Sequence, residues 1–219
     1  MPPHQIFARL ARRARGRWLY PLLGERLFPP PSPLPACLHN PTGAKIAPPA
    51  LSTEELRSAA DELAAHRFTY LNLPTADLGS PVDWQHSPEG NRLWGYQLHY
   101  GHWALTLAHA ARAAPDATTR YREALIGLLR DWIEHNLVGR APAWDPDPIA
   151  RRLVTWSKLP CLLGGDATWD AFWRTALEPS LRRQARCLAA NLEHDVPNNH
   201  LIGNYRALAW VGLLFEHWP

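Results

Sequence analysis

Between its prolines the sequence repeats one pattern, the 3.6-residue period of an amphipathic helix. Tyr121, Leu125, Leu128, Leu129, Trp132 and Ile133 recur at i, i+4, i+7, i+8, i+11 and i+12, which places all six on one helical face. Ser52–Thr53–Glu54–Glu55 reads as a capping box, the Ser hydroxyl and Glu carboxylate each satisfying the other's backbone N–H. It opens a helix to about Arg67, with Leu56, Ala60, Leu63 and Ala64 on the inner face. Helical spacing returns over Leu93–Ala114, Ile149–Leu163, Thr168–Leu177, Leu181–Leu192 and Asn199–Phe215. The 22 prolines supply the stops, because proline lacks the N–H and its ring clashes with the preceding turn. Pro179 is therefore expected to separate the helices on either side of it. Phe68 to Asn91 reads as a strand-like stub and a loop. Strand signals are otherwise nearly absent, so the class is all-α, with about seven helices on short connectors forming antiparallel hairpins.

Charge is unevenly placed. Arg9, Arg12, Arg13, Arg15, Arg17 and Arg26 face only Glu25 within the first thirty residues, so a net charge of +3 leaves the rest of the chain slightly acidic. That segment reads as a solvated, partly frayed basic arm, leading into a Pro-rich connector up to about residue 50. The organisation expected is therefore arm and connector over 1–50 and a helical domain over 51–219. Cys37, Cys161 and Cys187 have no short spacing and imply neither a disulfide framework nor zinc. No apolar run is long enough for a membrane span, and no signal peptide is evident. The cytoplasm is the default location and the periplasm an alternative. No metal, cofactor or nucleic-acid partner is expected.

Four polar clusters are candidates for chemistry. Pro197–Asn198–Asn199–His200 stands before an apolar run, with Asn198 or Asn199 as helix cap. Exposed N–H groups and the helix dipole there favour a carboxylate. Leu93–Trp94–Gly95–Tyr96–Gln97–Leu98–His99–Tyr100 interleaves aromatic and polar residues as a sugar groove does. His99 and His102 share a face, but no carboxylate completes a metal site. In Trp144–Asp145–Pro146–Asp147, followed by Arg151–Arg152, either Arg could clamp a carboxylate or sulfate in a bidentate manner. Asn191–Leu192–Glu193–His194–Asp195 is read as structural. The 11 Trp are read mainly as helix-packing residues, with some available to stack on sugars.

Phe68–Thr69–Tyr70–Leu71–Asn72, Asp83–Trp84, Leu93–Trp94, Leu98–His99–Tyr100, Arg151–Arg152–Leu153–Val154–Thr155–Trp156 and Asn191–Leu192–Glu193 occur in a distinctive order. With Asn199–His200–Leu201–Ile202–Gly203–Asn204 they resemble the N-terminal helical domain of heparinase II/III-like and alginate-lyase-like polysaccharide lyases, from about residue 53 onward. The resemblance implies an incomplete (α/α) toroid without the family's C-terminal β-domain, and association with such a missing segment. It implies β-elimination on an anionic, uronate-containing polysaccharide. Asn199 and His200 match the family's neutralising positions. His99, Tyr100, Trp94, Arg152 and Trp144 are the residues expected to contact substrate. The acid and base are expected beyond residue 219, leaving open whether this chain is itself an enzyme. Asn198 stands where the family has glycine, and Gly101–His102 where an aromatic and an acidic residue are common. The alternatives are a toroid glycoside hydrolase, drawing on Asp145, Asp147, Glu193 and Asp195, or a non-catalytic carbohydrate-binding module. The outer apolar residues of the last helix, Leu208, Val211, Leu214 and Phe215, are expected to lack partners.

Overall fold

The structure is a computed structural model that describes residues 3–15, 19–29, 46–47, 50–195 and 199–215. The Pro-rich connector lies almost wholly outside the described residues, as do Gly16, Arg17, Trp18 and Asn198. Among the described residues the structure is helical apart from one two-residue antiparallel pairing. Eleven α-helices are described: α1 (Pro3–Ala14), α2 (Tyr20–Leu27), α3 (Thr53–Ala64), α4 (Arg92–Tyr100), α5 (Trp103–Ala113), α6 (Thr118–His135), α7 (Pro146–Trp156), α8 (Leu159–Leu163), α9 (Ala167–Phe172), α10 (Glu178–Ala189) and α11 (Asn199–Leu214).

The capping box forms as read. The Ser52 hydroxyl accepts from the Glu55 N–H at 3.2 Å, and the Glu55 carboxylate accepts from the Ser52 N–H at 2.8 Å. The strand-like stub is real but short: Arg67–Phe68 pairs with Ala76–Asp77. Two segments read as single helices are divided. Gly101, at φ +72°, ends α4 in the left-handed conformation, and Ser157 and Lys158 separate α7 from α8.

Pro179 does not interrupt the helical path. Between α9 and α10 lies one π-helical stretch, Trp173–Leu177, with right-handed helical backbone on both sides. The widened turn changes the hydrogen-bond register just before Pro179, so its missing N–H and its ring are accommodated without a break.

α7 is the centre of the packing, contacting α4, α10 and α11, while α5 and α6 pack along each other and against α3. The core is rich in Trp. Trp132 meets Trp156 edge-to-face at 5.1 Å, Trp156 meets Trp103 at 5.9 Å, and Trp103 lies 5.8 Å from Trp84. A buried indole favours a hydrogen-bond partner for its N–H. Trp156 donates to the Gly101 carbonyl, Trp144 to the Asn136 carbonyl, Trp103 to the Leu98 carbonyl and Trp84 to the Asp131 carboxylate. A Cβ on Gly101 would stand 2.3 Å from the Trp156 Nε1, so glycine is required there by contact as well as by φ.

The described part of the basic arm is docked through two of its arginines. Arg12 donates to both oxygens of Asp195, at 3.0 and 2.7 Å, and Arg9 reaches the same carboxylate at 3.4 Å. Tyr20 donates to Asn191 at 2.6 Å, and Glu25 pairs with Arg183. Asp195 is almost fully buried. A buried carboxylate needs a cation, and the arm supplies it. The apolar face of α11 is also covered: Val211 and Phe215 are buried, Phe215 stacking on Trp173 at 5.8 Å. The large apolar residues that α11 leaves exposed, Ile202, Tyr205 and Leu213, lie away from that face.

Candidate functional site

α7 and α11 enclose a cleft of about 340 Å³, within the range of small-ligand sites. From α7 and the turn after it come Asp147, Arg151, Thr155 and Lys158. From α11 come Asn199, Gly203 and Arg206, and His102 closes one side. Each set is a helical stripe: 147, 151, 155 and 158 lie at i, i+4, i+8 and i+11, and 199, 203 and 206 at i, i+4 and i+7. The cleft is strongly basic. Its carboxylate, Asp147, is engaged by the Tyr100 hydroxyl at 2.8 Å and by Arg151 Nε at 3.0 Å. The Arg151 guanidinium also lies 4.6 Å above the Tyr100 ring. Burial, reinforced by Arg151 and then Lys158, holds the His102 imidazole below its ordinary pKa. Burial and the neighbouring Arg206 do the same to the Lys158 ammonium. Asn199 opens α11, where the first-turn N–H groups lack intrahelical acceptors.

Arg151 and Arg152 have opposite fates. Arg151 faces the cleft, whereas Arg152, expected to contact substrate, is fully buried. Arg152 donates to Gln184 Oε1 at 2.8 Å, to the His99 carbonyl at 2.8 Å and to the Ala143 carbonyl at 2.9 Å. Its guanidinium sits 4.1 Å over Trp132 and 5.5 Å from the Trp156 ring. Burial disfavours its charge, yet a guanidinium remains protonated at neutral pH. Carbonyl dipoles and aromatic faces stabilise it in place of a counter-ion.

His99 and Trp94 are likewise packing residues, not sugar contacts, because both are fully buried. Trp132 Nε1 donates to His99 Nδ1 at 3.1 Å, so His99 carries its proton on Nε2 and donates to the Trp84 carbonyl at 3.0 Å. Burial, with Arg152 adding to it, lowers the His99 pKa to about 3. With both ring nitrogens engaged it cannot join His102 in a metal site. Trp94 is met edge-on by Tyr70 and His86, each at 5.2 Å. Trp144 is buried against Trp132 at 6.4 Å. Tyr100 lies directly behind the cleft; burial and then Asp147 raise its pKa.

The Asn–His pair diverges. Asn199 lines the cleft, while His200 turns toward Glu193, its Nδ1 at 3.5 Å from Oε1. Glu193 is buried and clasped by Asn204, whose amide donates to Oε2 at 3.2 Å and whose oxygen accepts from the Glu193 N–H at 3.0 Å. Glu193 and Asp195 thus anchor the segment ahead of α11. Lys158, Arg206, Thr155 and Gly203 were missed as site residues, although the stripes on α7 and α11 carry that signal.

The helical arrangement described here is a fold seen in polysaccharide lyases. The chain superposes on heparan sulfate lyase HepC from Pedobacter heparinus with a TM-score of 0.69, at 20% identity, over 83% of this chain and 29% of that one. It superposes on heparinase III, the BT4657 gene product with methylated lysines, with a TM-score of 0.68, at 18% identity, over 81% of this chain and 31% of that one. The chain therefore spans about a third of the length of those proteins or less. No family model matches the sequence, and no curated protein matches it. At this identity the likeness defines the fold.

Proposed function

We propose that this chain is the helical domain of a uronic-acid polysaccharide lyase, a portion of an (α/α) toroid, and that the α7–α11 cleft holds its anionic saccharide. The observation that carries this reading is that Arg151, Lys158, Arg206 and the Asn199 end of α11 line one cleft whose single carboxylate is already engaged. Such a cleft recognises an oxyanion. In β-elimination, loss of the C5 proton places charge on the C6 carboxylate as the C4–O bond breaks. The electron pair of the C–H bond becomes the C4–C5 double bond, and the leaving oxygen takes a proton. Fixed donors aimed at that carboxylate stabilise the transition state more than the ground state. Asn199 is suited to this from within the cleft, whereas His200 is turned toward Glu193. Tyr100 is ill suited as the base, since its hydroxyl proton is held on Asp147.

The hydrolase alternative has weak support, because it needs two available carboxylates. Asp145 accepts from Tyr96 and Arg92, Asp147 from Tyr100 and Arg151, Asp195 from Arg12, and Glu193 from Asn204.

Calorimetric titration with uronate oligosaccharides and with neutral ones of equal length tests the binding step; equal affinity for both would refute the reading. In a form that carries the remaining length of a lyase, Asn199→Ala is expected to lower formation of unsaturated product about 10²–10³-fold.

A further inference from the structure

Lys158 and Arg206 stand apart from the other cations of the cleft. Arg151 has Asp147 as a partner. Among the described residues, neither Lys158 nor Arg206 meets a carboxylate. Lys158 is half-buried, with its ammonium 5.8 Å from the Trp210 ring centroid, and Trp210 is itself fixed by a 2.9 Å bond to the Ser157 hydroxyl. Arg206 lies two turns along α11 from Asn199 and lines the same cleft. Two cations that repel each other thus line one cleft, Lys158 half-buried and Arg206 exposed, which is unfavourable for Lys158 unless an anion joins them. The Trp210 face favours the Lys158 ammonium at this position.

The uronate carboxylate assigned to Asn199 accounts for one negative charge. We propose that Lys158 and Arg206 form a second anion subsite, which takes another oxyanion of the same saccharide, either a sulfate ester or the carboxylate of a neighbouring residue. This rests on the reading that the cleft holds an acidic saccharide. Charge-assisted hydrogen bonds from an ammonium and a planar guanidinium suit either group. Such an anion would also offset the burial and the Arg206 repulsion that together lower the Lys158 pKa.

The test is calorimetric titration near 0.15 M salt, where charges more than about 8 Å apart are largely screened. Three length-matched ligands are used: uronate alternating with a neutral sugar, the same oligosaccharide sulfated on the neutral sugar, and an all-uronate chain. Lys158→Met keeps the apolar stem, and Arg206→Gln alters an exposed position, so both should leave the far-UV spectrum unchanged. Each variant is expected to lose about five- to tenfold more affinity for at least one of the two more highly charged ligands than for the alternating ligand. Which of the two suffers the larger loss identifies the second anion. Equal losses on all three ligands would mark a general field and overturn the subsite, as would no loss on any. A subsite failure of that kind leaves the parent reading intact while Asn199→Ala still weakens all three. If none of the three binds the native chain, both readings fall.

Discussion

Replacing each of two adjacent arginines by alanine should have effects of very different size. Arg152→Ala leaves the Gln184 side-chain oxygen and the carbonyls of His99 and Ala143 without their donor in the core. Each unpaired buried acceptor costs about 1–3 kcal/mol. Loss of the cation–π contact with Trp132 adds to this, and release of a buried charge offsets some of it. The net loss should be about 3–4 kcal/mol. Arg151→Ala removes a half-exposed i,i+4 pair with Asp147, worth about 0.5 kcal/mol or less. With a urea slope of about 2 kcal/mol/M, the midpoint should fall by about 1.5–2 M for Arg152→Ala and by about 0.25 M or less for Arg151→Ala. Saccharide affinity should follow the opposite order at Arg151, falling while stability holds. Equal midpoint shifts, or the larger shift at Arg151, would refute the assignment of one arginine to the core and the other to the cleft.

Gly101→Ala should destabilise by about 2–3 kcal/mol, from the left-handed φ and the displacement of Trp156 together, which a thermal melt would register as a loss of about 5–10 °C. His99 has a folded pKa of about 3, depressed from an ordinary value near 6.5. Its contribution to stability is therefore complete above pH 6.5 and lost as the pH falls toward 3, at up to about 1.4 kcal/mol per unit. Denaturation across that window should show a shallower pH dependence in His99→Gln than in the native chain, whatever its absolute stability. A Cβ on Gly203 meets no atom within 4 Å, so Gly203→Ala should stabilise α11 by about 0.5–1 kcal/mol, whereas Gly203→Phe should fill the cleft and abolish saccharide binding in a calorimetric titration with the fold retained.

Much of the fold could be read where a local rule and the tertiary arrangement agree. The Ser52–Glu55 capping box and the Tyr121–Ile133 stripe needed only neighbouring residues to be recognised, and both stand in the structure. Pro179 misled because a proline signal is local, while the π-helical turn that absorbs it depends on packing around Trp173. In the arm, the pairing of Arg9 and Arg12 escaped notice because arginines in such a run are solvated by default; the buried Asp195 that holds these two is more than 180 residues away. In the site, motif order located the two walls, the Arg151 region and the Asn199 region. It gave the substrate contact to Arg152, which is buried, and not to Arg151, since adjacent residues differ by about 100° in direction and only the core decides which points inward. His99, Trp94 and Trp144 have the composition of a sugar groove, but a core packed from indoles and an imidazole has the same composition. Lys158 lies in the turn after α7, which the helical spacing over Ile149–Leu163 runs straight through.

An anionic saccharide between α7 and α11, at the Asn199 end, is the central claim. Hydrogen–deuterium exchange with and without a saturating uronate oligosaccharide tests it most directly, because the first-turn N–H groups of α11 have no intrahelical acceptor to protect them. The expected result is ligand-dependent protection over residues 199–202 and in the turn around Lys158. No change is expected at the hollow of about 350 Å³ beside α3 and α5, lined by Leu51, Leu56, His109 and Arg112. Protection confined to that hollow, or binding that leaves residues 199–202 exchanging as before, would contradict the claim.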